Sequence, residues 1–183
     1  MKILLINNYS QYKKKLKELE VFFDICRQIG LINIKKHFSM DYIYKYPRPM
    51  VTVDCILVNQ QKQENEVLLI RRKNEPYKNF LAIPGGFVDV DEDLEEAALR
   101  ELKEETGVNG IKIKQFKTYG RPDRDPRGRN ISVVFYYLLK EIPPKTQAGD
   151  DAKETLWVKE NELQNLAFDH QEILMDFFRF LKK

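Results

Sequence analysis

The chain has few of the residues that build disulfide frameworks and zinc sites. It contains two cysteines and two histidines among 183 residues. Cys26 and Cys55 lie in apolar surroundings without the short spacing of metal ligands, and His37 and His170 each stand alone. We therefore expect reduced, buried cysteines of a cytoplasmic protein. For the histidines we expect core or surface roles rather than metal binding.

Long apolar runs and a strong excess of one charge are missing as well. No run approaches the roughly 20 residues that a membrane-spanning helix needs, and the opening MKILLINN has no signal-peptide cleavage site. The net charge is +3, with 31 basic and 28 acidic residues, which is too small to indicate nucleic-acid binding by itself. We expect neither a membrane nor a nucleic acid as partner.

The sequence divides into two parts of unequal length. Residues 10–30 predict an amphipathic helix that ends at Gly30, with apolar residues at helical spacing: Leu16, Leu19, Phe22, Phe23, Cys26 and Ile29. Residues 1–45 are too few for a core of their own, so we expect a helical extension that packs on the main domain or on a second subunit. Residues 46–183 form the predicted main domain.

Strands and helices are mixed in this main part. The predicted strands are VTVDCILV, EVLLIRR, FLAIPGGFVDV (interrupted at Pro-Gly-Gly), IKIKQFKTYG, ISVVFYYLLK and ETLWV. One helix is predicted from about Leu94 to Thr106. A second begins at Asp169, where Glu172 three residues later suggests a capping box. Such a mixture predicts a sheet covered by helices.

The stretch ALRELKEETG places three carboxylates close together near the end of the first helix. Glu104 and Glu105 fall within about 60° of Glu101 around the helix axis, and like charges at these spacings repel. A solvated acidic face is one explanation. The other is a site for hard divalent cations such as Mg²⁺, for which Ala97 and Ala98 on the same arc would leave room.

The three glutamates belong to a longer pattern with fixed spacing. Its members, in chain order, are Gly86, Glu92, Arg100, Glu101, Leu102, Glu104, Glu105, Gly107 and Val108. This pattern resembles the Nudix box, G-x5-E-x7-R-E-U-x-E-E-x-G-U with U aliphatic, at every defined position. The resemblance extends from about Tyr46 to the C-terminus. It implies a Nudix-type α/β/α sandwich with a mixed sheet and the box as loop-helix-loop.

The resemblance also implies roles for the residues of the box. It implies metal-dependent hydrolysis of a nucleoside diphosphate linked to another group, with Mg²⁺ as cofactor and Mn²⁺ as the alternative. The implied catalytic and metal-binding residues are Glu101, Glu104 and Glu105, with a backbone carbonyl at Gly86, or alternatively Gly85, as a further metal ligand. Glu92, Arg100 and Gly107 are implied to be structural.

The group that accepts the proton stays open, because it varies among Nudix enzymes between a box glutamate and a loop acid. Asp150, Asp151 and Glu154 are predicted to lie in a loop before the segment TLWV, where family members often carry such an acid, and Asp151 is our candidate. A polar turn explains these residues equally well.

The loop YGRPDRDPRGRN carries the main indication of substrate. It resembles the loop of Nudix ADP-ribose pyrophosphatases, including those fused to nicotinamide-nucleotide adenylyltransferases, and RRKNEPYKNF resembles the same group. Candidate substrate-binding residues are Arg71, Arg121, Asp123 and Arg127, since arginines suit phosphates and carboxylates accept from ribose hydroxyls. A hairpin loop with self-cancelling charges is the alternative. Tyr46 and Phe80 are weaker candidates for stacking on adenine, and Trp157 is expected to pack on the sheet.

These resemblances predict a homodimeric enzyme that hydrolyses ADP-ribose to AMP and ribose 5-phosphate. Two alternatives remain: a Nudix hydrolase of another nucleotide, or an ADP-ribose-sensing protein related to Nudix-type transcriptional regulators. The intact box favours catalysis. The sequence ends about two residues after the last predicted helix, so we expect no DNA-binding domain to follow.

Overall fold

Two long strands with apolar side chains on both faces form the centre of the sheet. In the computed structural model, which describes residues 44–61, 64–140, 144–149 and 152–183, β1 spans Met50–Asn59 and β6 spans Asn130–Leu139. They pair in parallel over all ten residues. Because both faces are covered, each strand is a nearly continuous apolar run in the sequence.

Five shorter strands complete a mixed sheet, and all of them pair in antiparallel fashion. They are β2 (Glu66–Arg72), β3 (Leu81–Ala82), β4 (Gly85–Phe87), β5 (Lys114–Tyr119) and β7 (Ala152–Lys159). A short 3₁₀ turn, Glu160–Glu162, follows β7. The strand order is β3-β2-β1-β6-β5, with β4 paired to β1 and β7 paired to β2.

The neighbouring strands β1 and β2 diverge along their length. They pair only at one end, where Val58 lies opposite Val67 and Asn59 opposite Glu66. Farther along, β1 pairs with β4 and β2 pairs with β3. A gap therefore opens in the middle of the sheet, and the backbone that connects β3 to β4 crosses it.

Two helices cover the two faces of the sheet. Helix α1 (Leu94–Thr106) begins with a capping box between Asp93 and Glu96, and Gly107 ends it at φ 75°. Helix α2 spans His170–Leu181. Of the core clusters among the described residues, one lies under α1 and one under α2, and alternate residues of β1 belong to each; a smaller cluster contains Ile70, Ala82, Ala152 and Ala167. The predicted α/β/α sandwich is thus confirmed.

Of three further predictions from the sequence, one concerns residues that the structure does not describe and two are wrong. The predicted helix of residues 10–30 lies outside the described residues. The predicted capping box at Asp169 is wrong, since its side chain makes no cap hydrogen bond and instead accepts from Arg124. Ala97 and Ala98 do not leave room for a ligand, because both are buried in the core under α1.

No helix in the described part of the chain is long and apolar enough to cross a membrane.

Candidate functional site

The backbone at the start of β4 passes so close to its neighbours that Gly85 and Gly86 leave no space for a side chain. A Cβ atom on Gly85 would lie 2.1 Å from the carbonyl oxygen of Val53, and one on Gly86 would lie 2.3 Å from Oε1 of Glu101. The amide of Gly85 donates a hydrogen bond to Oε2 of Glu105, 2.9 Å away. The two glycines thus bring the main chain directly against two carboxylates of α1.

The three glutamates of α1 differ strongly in exposure although they share one arc. Glu105 is 8% exposed, the side chain of Glu101 is 15% exposed and that of Glu104 is 58% exposed. Burial raises the pKa of Glu105 to about 8 and also raises the pKa of Glu101. A solvated acidic face therefore describes only Glu104.

Arg100 joins the loop after β4 to helix α1. Its Nε and Nη2 donate to the two carboxylate oxygens of Glu92 at 2.7 and 2.8 Å. Its Nη1 donates to Glu101 at 2.8 Å and to Glu104 at 3.2 Å, and Nη2 also donates to the carbonyl oxygen of Phe87 at 3.0 Å. The hydrogen bond from Arg100 holds the pKa of Glu92 below its ordinary value.

The oxygen ligands at this place suit Mg²⁺ or Mn²⁺. Within the described ranges, no three His, Cys, Asp or Glu side chains converge in an arrangement that could hold a metal ion; the carboxylate of Glu104 turns toward Arg100 instead. However, Mg²⁺ usually takes one or two protein carboxylates and completes its octahedron with water and phosphate oxygens. Glu101 and Glu105, lying against the backbone of Gly85 and Gly86, meet that smaller requirement.

A cleft opens beside these glycines, where β1 and β2 diverge. It is open to solvent on one side and combines charged, polar and aromatic side chains. The lining residues come from the strands, the arginine-rich loop and the start of α2: Thr52, Asp54, Ile70, Arg72, Ile83, Gly85, Gly86, Arg124, Asp125, Arg127, Asn130, Phe168 and His170.

Two aromatic rings hold the guanidinium of Arg127 in this cleft. Its Cζ lies 4.8 Å from the ring centroid of Phe87 and 5.1 Å from that of Phe168. Its Nε and Nη2 donate to the carboxylate of Asp125, which also accepts from Asn130 at 3.0 Å. Burial alone would raise the pKa of Asp125, but these hydrogen bonds outweigh it and lower the pKa to about 2.

A buried ion pair lies at the inner end of the cleft. Arg124 donates to both carboxylate oxygens of Asp169 at 2.8 and 2.7 Å, and both side chains are at most 4% exposed. Nη2 of Arg124 also lies 4.0 Å from Asp54, whose Oδ2 accepts from the hydroxyl of Ser132. Arg124 and Asp169 thus connect the arginine-rich loop to the start of α2.

The structure brings only part of the predicted substrate-binding set to the cleft. Arg127 lines it, whereas Arg71, Arg121 and Asp123 do not. Nε of Arg71 donates to Glu154 at 2.5 Å, and Arg121 lies 3.8 Å from a carboxylate of α2 at the surface. The substrate roles of these three residues remain predictions without support from their positions.

The other predicted candidates have mixed outcomes. Asp150 and Asp151 lie outside the described residues. Glu154 is not in a loop as predicted; it lies within β7, opposite Arg71. Trp157 packs in the core under α1, as expected. Tyr46 and Phe80 are exposed and do not line the cleft.

Sequence reasoning missed several residues of the cleft. Asp54 had a signal, since it is the one charged residue within the apolar strand VTVDCILV. His170 and Phe168 had none that separates them from ordinary core residues. Phe168 has a positive φ of 54°, which the sequence does not indicate for an aromatic residue.

Comparison with known proteins gives consistent findings. The NUDIX domain model matches residues 48–177. An ADP-ribose pyrophosphatase of Methanocaldococcus jannaschii is 47% identical over 86% of this chain and 95% of that protein. An ADPR responsive transcriptional repressor, NtrR, of Acinetobacter baylyi is 36% identical over 73% of this chain and 54% of the repressor. The solved NUDIX domain of Shewanella oneidensis NrtR, complexed with ADP ribose, has a TM-score of 0.70 at 31% identity and covers 77% of this chain and 94% of that chain.

The matched range includes the whole sequence pattern from Gly86 to Val108. It also includes the two carboxylates that lie against the glycine segment and the cleft beside them. The family model covers more than half of the chain. The chain therefore belongs to the Nudix family of hydrolases.

Proposed function

We propose that the chain hydrolyses ADP-ribose to AMP and ribose 5-phosphate with a divalent cation, Mg²⁺ or Mn²⁺. The observation that carries this proposal is the position of the Arg127 guanidinium in the cleft that also contains Gly85 and Gly86. These glycines lie against Glu101 and Glu105. The likeness to an ADP-ribose pyrophosphatase and to a NUDIX domain with ADP ribose supports the substrate.

We assign different roles in the reaction to the residues of the site. A bound divalent cation offsets the charge of the diphosphate and activates a water molecule. Glu101, Glu104 and Glu105 would supply carboxylate oxygens to it, and Gly86 a carbonyl oxygen. The proton acceptor would be a box glutamate or Asp151.

Arg127 would contact the part of ADP-ribose beyond the adenosyl phosphate. Its guanidinium is already ordered by two rings and by Asp125, so little side-chain entropy is lost when a substrate binds. The positively charged guanidinium can donate hydrogen bonds to phosphate or ribose oxygens.

The proposal is tested with purified protein, Mg²⁺ and a panel of nucleotides, with AMP and ribose 5-phosphate resolved among the products. We expect the highest kcat/KM with ADP-ribose. Hydrolysis of other nucleotides without activity on ADP-ribose would contradict the substrate and leave the Nudix assignment in place. Tight binding of ADP-ribose without turnover would instead favour the regulatory alternative.

Arg127→Ala provides a second test, with Arg121→Ala as the matched control. A lost charged hydrogen bond costs about 1.5–3 kcal/mol, or roughly 10- to 150-fold in kcat/KM. We expect this loss with ADP-ribose and a smaller one with ADP-glucose, which carries a hexose instead. Arg121→Ala should change neither, because Arg121 lies outside the cleft. Equal losses on both substrates with Arg127→Ala would show that Arg127 has an architectural role.

Four further statements, on location, oligomeric state, nucleic-acid binding and domain organisation, complete the proposal. The protein is a cytoplasmic homodimer that binds no nucleic acid, and residues 1–45 form an extension of the domain 46–183. Analytical ultracentrifugation of the full chain tests the dimer, and an electrophoretic mobility assay at physiological salt tests nucleic-acid binding.

A further inference from the structure

The glycine segment of the site, residues 83–86, is held from three different elements. Gly85 and Gly86 pair with β1 as part of β4. Outside this pairing, the segment is held by Cys55 N to Pro84 O at 2.8 Å, Gly85 N to Glu105 Oε2 at 2.9 Å, and Ile83 N to His170 Nδ1 at 2.9 Å. The first comes from β1, the second from α1 and the third from α2. The positions of the carbonyls at Gly85 and Gly86 therefore depend on α2 as well as on the box helix.

The hydrogen bond between the amide of Ile83 and His170 requires one particular tautomer of the imidazole. Ile83 is 1% exposed, and its amide lies between β3 and β4, outside the strand ladders. A neutral imidazole accepts at only one nitrogen, so Nδ1 is the unprotonated nitrogen and Nε2 carries the proton. Nε2 lies 3.5 Å from Oδ1 of Asp54. Burial lowers the pKa of His170, which agrees with a neutral ring.

The position of the His170 imidazole is also fixed by contacts of the residues just before it in the chain. His170 is the first residue of α2, and the preceding residue, Asp169, is held by two hydrogen bonds from Arg124. The imidazole also lies beside the ring of Phe168, with centroids 5.4 Å apart and the ring planes tilted by 41°. The start of α2 is thus connected to the arginine-rich loop on one side and to segment 83–86 on the other.

We propose that His170 is a positioning residue of the metal site: its Nδ1 fixes the amide of Ile83 and thereby sets the backbone of Gly85 and Gly86 against Glu101 and Glu105. His170 touches neither the metal nor the substrate in this role. The inference rests on the proposed function, since it takes the glycine segment and the box glutamates as the metal site.

The test compares His170→Asn with His170→Gln. Asn places its amide oxygen near the position of Nδ1, where it can accept from Ile83, whereas Gln extends its amide toward the position of Nε2. The direct measurement is Mn²⁺ affinity without substrate, from the electron paramagnetic resonance signal of free Mn²⁺. Asp176→Asn is the control, because it removes an ion pair between α2 and Lys117 at a surface remote from the segment.

We expect His170→Gln to weaken Mn²⁺ binding roughly 10- to 100-fold, as outer-shell changes typically do. His170→Asn and Asp176→Asn should stay close to the wild type. The kcat measured at saturating ADP-ribose and limiting Mg²⁺ should fall in parallel for His170→Gln, with a smaller change in KM. Equal Mn²⁺ affinity of the Asn and Gln variants would overturn the positioning role.

The wild-type protein provides a measurement that needs no folded variant. An N–H···N hydrogen bond gives a scalar coupling between its two ¹⁵N nuclei, and we expect one between the amide of Ile83 and Nδ1 of His170. A histidine protonated at Nδ1 would overturn the inference. A wild-type protein that binds no Mn²⁺ but shows this coupling would locate the failure in the proposed metal site instead.

Discussion

Gly85 and Gly86 are adjacent, but they face obstacles of different stiffness. A Cβ atom at Gly85 would meet the backbone carbonyl of Val53, which is fixed in β1. The three atoms nearest to a Cβ atom at Gly86 would all belong to the carboxylate of Glu101, the far end of a flexible side chain. We predict that Gly85→Ala lowers the free energy of unfolding by ~1–3 kcal/mol or more, as overpacking does, and that Gly86→Ala lowers it less.

For metal binding we expect the reverse order, with Gly86→Ala as the more harmful substitution. Its methyl group displaces Glu101, so Mn²⁺ affinity should fall although the fold is retained. Urea unfolding and Mn²⁺ titration of the two variants separate the effects. Equal stability losses, together with unchanged Mn²⁺ affinity of Gly86→Ala, would show that the close approach of Glu101 has no functional role.

Glu105 combines the strongest burial among the box glutamates with the clearest contact to the glycine segment. We predict that Glu105→Gln keeps the fold and reduces kcat with ADP-ribose by ~10²–10⁴-fold, the range for loss of a catalytic carboxylate. Glu96→Gln is the matched control, because it lies on the first turn of the same helix and belongs to its capping box. Turnover of Glu105→Gln close to that of the wild type would contradict the assignment of the site.

At the scale of elements, the sequence was sufficient wherever a local signal decides the structure. Helix α1 ends at Gly107 as predicted, because the required left-handed conformation favours glycine. The strands β1 and β6 were predicted from their apolar residues to within two residues. Local signals failed at Asp169, where a capping box was predicted and the carboxylate instead pairs with Arg124, 45 positions away in the sequence.

In the candidate site, too, the sequence predicted what local signals determine and missed what the tertiary structure determines. The Nudix box fixed the carboxylates of α1, since its members lie within one short stretch. The cleft could not be predicted, because it depends on the divergence of β1 from β2 and on which arginine of the loop points inward. Four arginines occur in RPDRDPRGRN, and only the fold distinguishes Arg127, between two rings, and Arg124, in the interior, from Arg121 at the surface.

Two of the ion pairs made by helix α2 and by Asp169, the residue before it, should contribute very differently to the stability of the fold. The pair of Arg124 with Asp169 is buried, whereas Lys117 and Asp176 pair at the surface at 2.6 Å. We predict that Arg124→Leu lowers the free energy of unfolding by ~3–5 kcal/mol, because it leaves the buried carboxylate of Asp169 without its charged partner. Lys117→Leu should cost only ~0–1 kcal/mol. Chemical denaturation measures both, and similar costs would contradict the distinction.

At the scale of the whole molecule, Glu105 makes stability depend on pH and on metal. Its folded-state pKa of about 8 lies above its ordinary value of 4.5. The folded protein therefore binds more protons than the unfolded chain between these values, and stability falls as pH rises through this window. The raised pKa of Glu101 acts in the same direction. The lowered pKa of the buried His170 acts in the opposite direction below its ordinary value of 6.5. The lowered pKa values of Glu92, Asp125 and Asp176 also oppose it, but only in the acid range below their ordinary values.

We predict that the metal-free protein loses stability from about pH 6.5, above which the deprotonation of His170 no longer opposes the effect, to about pH 8, and that Glu105→Gln removes most of this loss. Thermal unfolding in a chelating buffer, repeated at each pH, measures it. Since a glutamine cannot ionise, the variant should be more stable than the wild type at pH 8 and similar to it at pH 5. A wild-type protein whose stability is flat across this window would show that Glu105 is not desolvated as the structure has it.

Binding of a divalent cation should offset the loss of folding stability that ionisation of the buried Glu105 causes. A ligand at 100 times its dissociation constant stabilises the folded state by ~2.7 kcal/mol, which corresponds to roughly 5–10 °C in Tm for a chain of this size. We predict such an increase with Mg²⁺ at pH 8 and a smaller one at pH 6, because Glu105 must lose its proton to bind the metal. Glu105→Gln should show little increase at either pH. An equal increase in that variant, or one reproduced by K⁺ at the same ionic strength, would mean that the stabilisation does not arise at the box glutamates.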